Sequence, residues 1–123
     1  MRLGGTEDGV RGLVPAARDV WRAIRATVLD AGVADQRLKD LAYRYLAGEV
    51  AEDDVAGLGE RERATVEWAR AIALESDRAD DALWGRLHAL FSEVELVDLG
   101  CAIGFELGRQ HWRRTVGLPA RGA

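Results

Sequence analysis

The chain has little of the side-chain chemistry that carries most redox and metal reactions. It holds one cysteine, Cys101, and two histidines, His88 and His111, in 123 residues. A single cysteine excludes an internal disulfide, a thiolate-rich zinc site and a dithiol redox pair within one chain. The histidines do not stand at i and i+4, and no carboxylate–histidine cluster has ligand spacing, so no metal is expected. Long apolar runs are missing too: nothing approaches the roughly 20 residues of a membrane span. The N-terminus, with Gly4, Gly5, Glu7 and Asp8, lacks the apolar stretch of a signal peptide. These absences predict a protein of the reduced cytoplasm with no membrane partner. Lysine occurs once, at Lys39; the remaining basic residues are arginines scattered along the chain. Seventeen basic against 21 acidic residues give a net charge of −4. A nucleic-acid binder would concentrate a cationic surplus on one face, so nucleic acid is not an expected partner.

What is present is an ordinary globular composition, 48% hydrophobic and 31% charged at 13.5 kDa. That accommodates one domain and one core. Residues 1–13 are Gly-rich and polar and predict a flexible N-terminal arm; residues 14–119 form a single helical domain. Pro15 suits a first helical turn. Ala17, Val20, Trp21, Ile24, Val28 and Leu29 then recur at three- and four-residue steps, with Gly32 as the stop. Asp35 can cap a second helix that buries Leu38, Leu41, Ala42, Tyr45 and Leu46 and stops at Gly48. Residues 49–59 read as an acidic surface loop. A third helix spans Glu60 to Leu74, with Glu60 and Glu62 in its first turn. Asp80 or Asp81 starts a fourth, holding Leu83, Trp84, Leu87, Leu90 and Phe91. Ser92 and Glu95 form a capping box for a fifth, which runs towards Thr115 and ends before Gly117 and Pro119. Its apolar run from Val94 to Leu107 marks it as the central helix. No alternating run of strand length occurs, and the fold class is all-α, a compact bundle of about five helices.

The fifth helix carries the candidate chemistry. With Gly100 at zero on a wheel of about 100° per residue, Gly104 falls near 40°, Gly108 near 80° and His111 near 20°. Each glycine costs about 1 kcal/mol relative to alanine, so three in register need a reason. Either another helix packs closely on them, in this subunit or another, or a small ligand fills the groove. His111 reads as a complement to the helix dipole or as a general acid or base facing that groove. Gln110 and Trp112 would supply an amide and an aromatic wall. Glu106 lies near 240° on the same wheel. It reads as an ion pair within reach of Arg109, Gln110 and Arg113, or as a buried carboxylate of raised pKa. Cys101 borders the groove, as inert packing or as a nucleophile. The cations Arg109, Arg113 and Arg114 around Trp112 suit the end of a helix.

The segment G-E-R-E-R-A-T-V-E-W-A-R-A-I-A, Gly59 to Ala73, is similar to a helix of the carboxymuconolactone decarboxylase family, which includes the alkylhydroperoxidase-D-like proteins. D-A-L-W-G-R-L from Asp81, F-S-E-V-E-L-V-D-L from Phe91 and L-P at Leu118 follow in the family's order. Residues 34–47 resemble the start of its preceding helix. The likeness covers about half the chain. It implies an all-helical protomer that assembles into homo-oligomers. Family members of the peroxidase type carry Glu, a C-x-x-C pair and a following histidine ahead of the helix at Gly59. This chain has none of them, so it resembles a shortened member without the dithiol site.

From the decarboxylase branch the resemblance implies a cofactor-free acid–base enzyme acting on a small organic acid or lactone. Arg109 or Arg113 would bind the carboxylate, His111 would move the proton, and Gly100, Gly104 and Gly108 would line the pocket. The alternative is a catalytically silent oligomeric binding or assembly module with the glycine stripe as subunit seam. A third reading is one-cysteine alkylhydroperoxidase activity at Cys101 with an external thiol.

Overall fold

The computed structural model of the protein describes residue 3 and residues 5–122. Residues 1, 2, 4 and 123, and with them part of the expected N-terminal arm, lie outside the described residues. The chain runs through α1 (Glu7–Arg11), α2 (Pro15–Ile24), a π-helical turn (Arg25–Leu29), α3 (Gln36–Leu46), α4 (Glu52–Val55), α5 (Glu60–Leu74), a 3-10 turn (Ser76–Arg78), α6 (Asp81–Leu90) and α7 (Glu93–Thr115). No strand occurs among the described residues. The fold is all-α, with seven α-helices among the described residues where the periodicity predicts about five.

The two additional helices are short and lack the repeat that periodicity detects. α1 lies in the segment expected to be a flexible arm, and α4 in the expected acidic loop. The Thr6 hydroxyl accepts the Gly9 N–H at 3.0 Å, and Glu7 and Asp8 follow as first-turn acids, which suits a helix N-terminus. α4 is a single turn of Glu52, Asp53, Asp54 and Val55. The longer helices start at their expected caps. Asp35 accepts from Arg37 N–H at 2.9 Å, and Asp80 from Leu83 N–H at 2.9 Å. Ser92 and Glu95 form the reciprocal box that opens α7, at 3.2 and 3.0 Å.

α3, α5 and α7 enclose the main core, where Leu38 and Ala42 meet Ala64, Trp68, Ala69, Leu96, Leu99 and Ile103. α6 covers α5 through Leu83 and Leu87, and Trp84 meets Trp68 edge-on at 5.6 Å. On the other side the π-helical turn packs Leu29 against Tyr43 and Ala102, with Trp21, Ile24 and Val28 over them. α7, expected as the central helix, is buried along one side only. Leu96, Leu99, Ala102, Ile103, Glu106, Gln110 and Arg113 are buried. They span about 200–320° of the wheel. Val94, Val97, Cys101, Gly104, Phe105 and Gly108 face outwards.

The lone lysine fastens the turn between the π-helix and α3. Lys39 Nζ is fully buried and donates to the carbonyls of Val28 at 2.7 Å and Ala31, and it lies 2.9 Å from Asp98 of α7. The same Asp98 oxygen accepts the N–H groups of Val33 and Ala34, each at 2.7 Å. Burial acts to raise the Asp98 pKa, but the Ala34 N–H, Lys39 and the Val33 N–H together hold it below the usual carboxylate value. Gly32 makes room for this pair: its φ is +104°, and a Cβ there would lie 2.6 Å from Asp98 Oδ2 and 2.8 Å from Lys39 Nζ. Lys39→Met is expected to leave two carbonyls and a carboxylate without their cation, at a cost of about 3–5 kcal/mol. Urea unfolding is the check: the midpoint falls while the slope is kept.

Candidate functional site

The densest charge cluster joins the two ends of the described chain. Glu7 of α1, only 4% exposed, is met by three guanidinium groups. Arg109 binds it in a fork, Nε to Oε1 at 2.8 Å and Nη2 to Oε2 at 2.8 Å. Arg113 Nη1 donates to Oε2 at 2.5 Å, and Arg11, one turn along α1, donates to Oε1. Such bidentate, charge-assisted contacts are the strong class of hydrogen bond. Burial acts to raise the Glu7 pKa, but Arg109 and then Arg11 outweigh it and bring the carboxyl down to about 2.

A second carboxylate stands behind the first. Glu106 accepts Arg109 Nη1 at 2.9 Å and Gln110 Nε2 at 3.2 Å. Gln110 Nε2 also donates to the Tyr43 carbonyl at 2.9 Å, which ties α7 to α3. Burial, and then the nearby Glu106 charge, raise the Tyr43 pKa, and the phenol donates to the Leu29 carbonyl at 2.8 Å. Glu106 thus takes the ion-pair reading rather than that of a lone acid. Of the residues expected within its reach, Arg109 and Gln110 bond it, whereas Arg113 reaches forward to Glu7 and the Pro119 carbonyl, the latter at 2.6 Å. The Arg11 guanidinium lies between two indoles, 4.1 Å from the Trp21 ring centre and 4.2 Å from that of Trp112.

The remaining candidates separate. His111 is exposed on the outer face of α7 and Glu106 is buried. At about 100° per residue they point some 140° apart, so they do not face one cavity within the chain. The glycines divide as well. A Cβ on Gly100 would lie 2.8 Å from Trp68, so this glycine serves the close packing of α5 on α7. Gly104 and Gly108 meet nothing within 4 Å. Cys101 is exposed and borders a cleft of about 420 Å³ with Trp68, Trp84, His88, Glu93 and Gly100. A neighbouring hollow of about 540 Å³ shares Val97 and Cys101 and adds Val28, Val94 and Asp98. A third, of about 410 Å³, lies beside α1 between Trp21 and Trp112. Among the described residues no group of three His, Cys, Asp or Glu side chains could hold a metal ion, and no helix is long and apolar enough to cross a membrane.

Sequence reasoning missed Glu7, Arg11, Trp21 and His88 as site residues. The first two carried a signal: Thr6 followed by two acids, with Arg11 four residues after Glu7, is a short capped helix with an internal ion pair. The partners of Glu7 in α7 lie 102 and 106 residues away, beyond any local pattern.

The architecture is thus an all-helical domain whose first helix is held ionically on its last. Comparisons of the chain with protein-family models, with curated proteins and with solved structures find no match.

The Glu7 pKa sets a sign for stability against pH. A carboxyl lowered on folding stabilises the fold fully above its unfolded value, near 4.5, and loses that contribution as pH falls towards about 2. Glu7→Gln is expected to cost about 3 kcal/mol at neutral pH, the range for breaking a buried pair. Thermal melts of both proteins from neutral pH to pH 2 check this: the gap between them stays constant above pH 5 and narrows below it.

Proposed function

We propose that this chain is a carboxymuconolactone decarboxylase-like protein without the redox dithiol, working as a homo-oligomeric binding or assembly module joined through the outer face of α7. The observation that carries the reading is the make-up of that face. Val94 and Val97 are 61% and 68% exposed, Phe105 is 41% exposed, and Cys101, Gly104 and Gly108 lie between and beyond them. A line of apolar and small residues along a 23-residue helix is a helix–helix contact surface without its partner in the chain.

Charge favours a second copy of the same helix, antiparallel, as that partner. The first turn of α7 carries the exposed Glu93, and its last turn carries the exposed Arg114. A two-fold crossing centred on Gly104 sets Val97 opposite the partner copy's position 111 and brings each acidic first turn to the other's basic last turn. The helix dipoles then oppose favourably, and one patch serves both subunits, as two-fold symmetry requires. A parallel pairing would set Glu93 against itself.

Size-exclusion chromatography with light scattering tests this directly. The wild type is expected to run as a multiple of 13.5 kDa. Val97→Asp and Gly104→Arg, both at exposed positions, are expected to yield the single-chain mass with the helical circular dichroism intact. A wild type of single-chain mass at every concentration overturns the reading.

The second reading is a one-cysteine hydroperoxidase, favoured by the exposed Cys101 on a cleft that also holds His88 and Glu93. There the thiolate would attack the outer peroxide oxygen, forming an S–O bond and breaking O–O. The alcohol would leave after protonation, and an external thiol would reduce the sulfenic acid. Thiol-dependent consumption of cumene hydroperoxide that disappears in Cys101→Ser, and only there, would support it over a silent module. No consumption by the wild type removes it.

A further inference from the structure

Arg109 and Arg113 are each fixed by contacts that do not involve α1. Arg109 Nη1 is held by Glu106 at 2.9 Å, and Arg113 Nε by the Pro119 carbonyl at 2.6 Å. Both guanidinium groups present other N–H groups to one point, the Glu7 carboxylate. This is a pre-organised carboxylate receptor, with the geometry for which arginine is suited above lysine. Its present occupant comes from a five-residue helix, far too short to be stable without its contacts. α1 is otherwise held by buried Val10, the Arg11 side chain and an exposed contact from Arg22 to Asp8 at 3.0 Å.

The second half of the helix fills a second shape. The planar Arg11 guanidinium occupies a slot between the faces of Trp21 and Trp112. Lifting α1 removes Glu7 and Arg11 together. Two arginines are then left facing a slot walled by two indoles, and the adjoining hollow loses the wall that Val10 and Arg11 of α1 give it. Such a surroundings set selects a carboxylate on a flat, conjugated body.

We propose that Arg109, Arg113, Trp21 and Trp112 form a binding site for a small planar organic carboxylate, and that α1 fills this site in the unliganded chain, with Glu7 in the place of the carboxylate and Arg11 in the place of the planar body. The site takes Arg109 and Arg113, both largely buried, and Trp112 from the side of α7 that also carries Gly108, Val97 and Gly104. Its test reads ligand uptake and not subunit number.

Benzoate is the probe and benzyl alcohol its uncharged control, each titrated calorimetrically into the full-length wild type and Glu7→Ala. A site filled by its own chain shows an affinity reduced by the fraction open, so removing the Glu7 carboxylate is expected to tighten benzoate binding about tenfold or more. Benzyl alcohol is expected to bind neither protein measurably. A folded Glu7→Ala that takes up no benzoate, or that takes up both compounds alike, overturns the proposal and makes α1 a permanent clasp. Should that variant not fold, hydrogen exchange on the wild type decides. Amides of residues 7–11 are expected to exchange faster as benzoate is added. Unchanged exchange at these amides up to the solubility limit of benzoate overturns the proposal equally.

Discussion

The Glu7 carboxylate is the interaction on which the arrangement of the chain's two ends depends. Arg109 and Arg113 sit on the buried side of the last helix, where a guanidinium without an anion would carry a large desolvation cost. Glu106, on the same helix, answers Arg109 from one side only. α1 supplies a second carboxylate, which both arginines share. This contact helps to hold a five-residue helix with a single buried apolar side chain, Val10, in place. It also lays α1 across the C-terminal half of α7, and α2 begins where that leaves it.

Lys39 and Asp98 repeat the same logic at the other end of α7. A buried cation collects the open carbonyls at the end of the π-helical turn, and a carboxylate collects two N–H groups at the approach to α3. Each ion is satisfied by backbone as well as by its opposite charge. A single glycine, Gly32, lets them meet. α7 is thus fastened by charge near both ends and by apolar packing between them. Leu96, Leu99, Ala102 and Ile103 do the packing, and the opposite side of the helix is left uncommitted.

The long helices were legible because their signals are local. Asp35, Asp80 and the Ser92–Glu95 box act within one turn, and each caps the helix its sequence context announces. The short helices were not, because one turn has no period to detect and α1 exists through contacts over 100 residues away. The site was legible in part. The arginines expected to bind the carboxylate of a small organic acid, Arg109 and Arg113, converge on Glu7 of the chain itself. His111 and Glu106, the two acid–base candidates of α7, lie on different sides of the helix. A five-residue step along a helix turns about 140°, so one side chain is buried as the other reaches solvent.

The sequence by itself determined the fold class, the starts of the long helices, and the exclusion of an internal disulfide and of a dithiol pair within one chain. These follow from side-chain spacing, hydrogen bonds within a single turn, and the count of one residue type. Only the tertiary structure decided which side of α7 is buried. An apolar run with three glycines reads alike from either side, and the choice falls to whatever packs against it. Trp68 took Gly100, while Gly104 and Gly108 were left outside. Only the tertiary structure, likewise, decided what the α7 arginines hold. A buried charge must find its opposite wherever the folded chain brings one, and no pattern along the sequence encodes that distance.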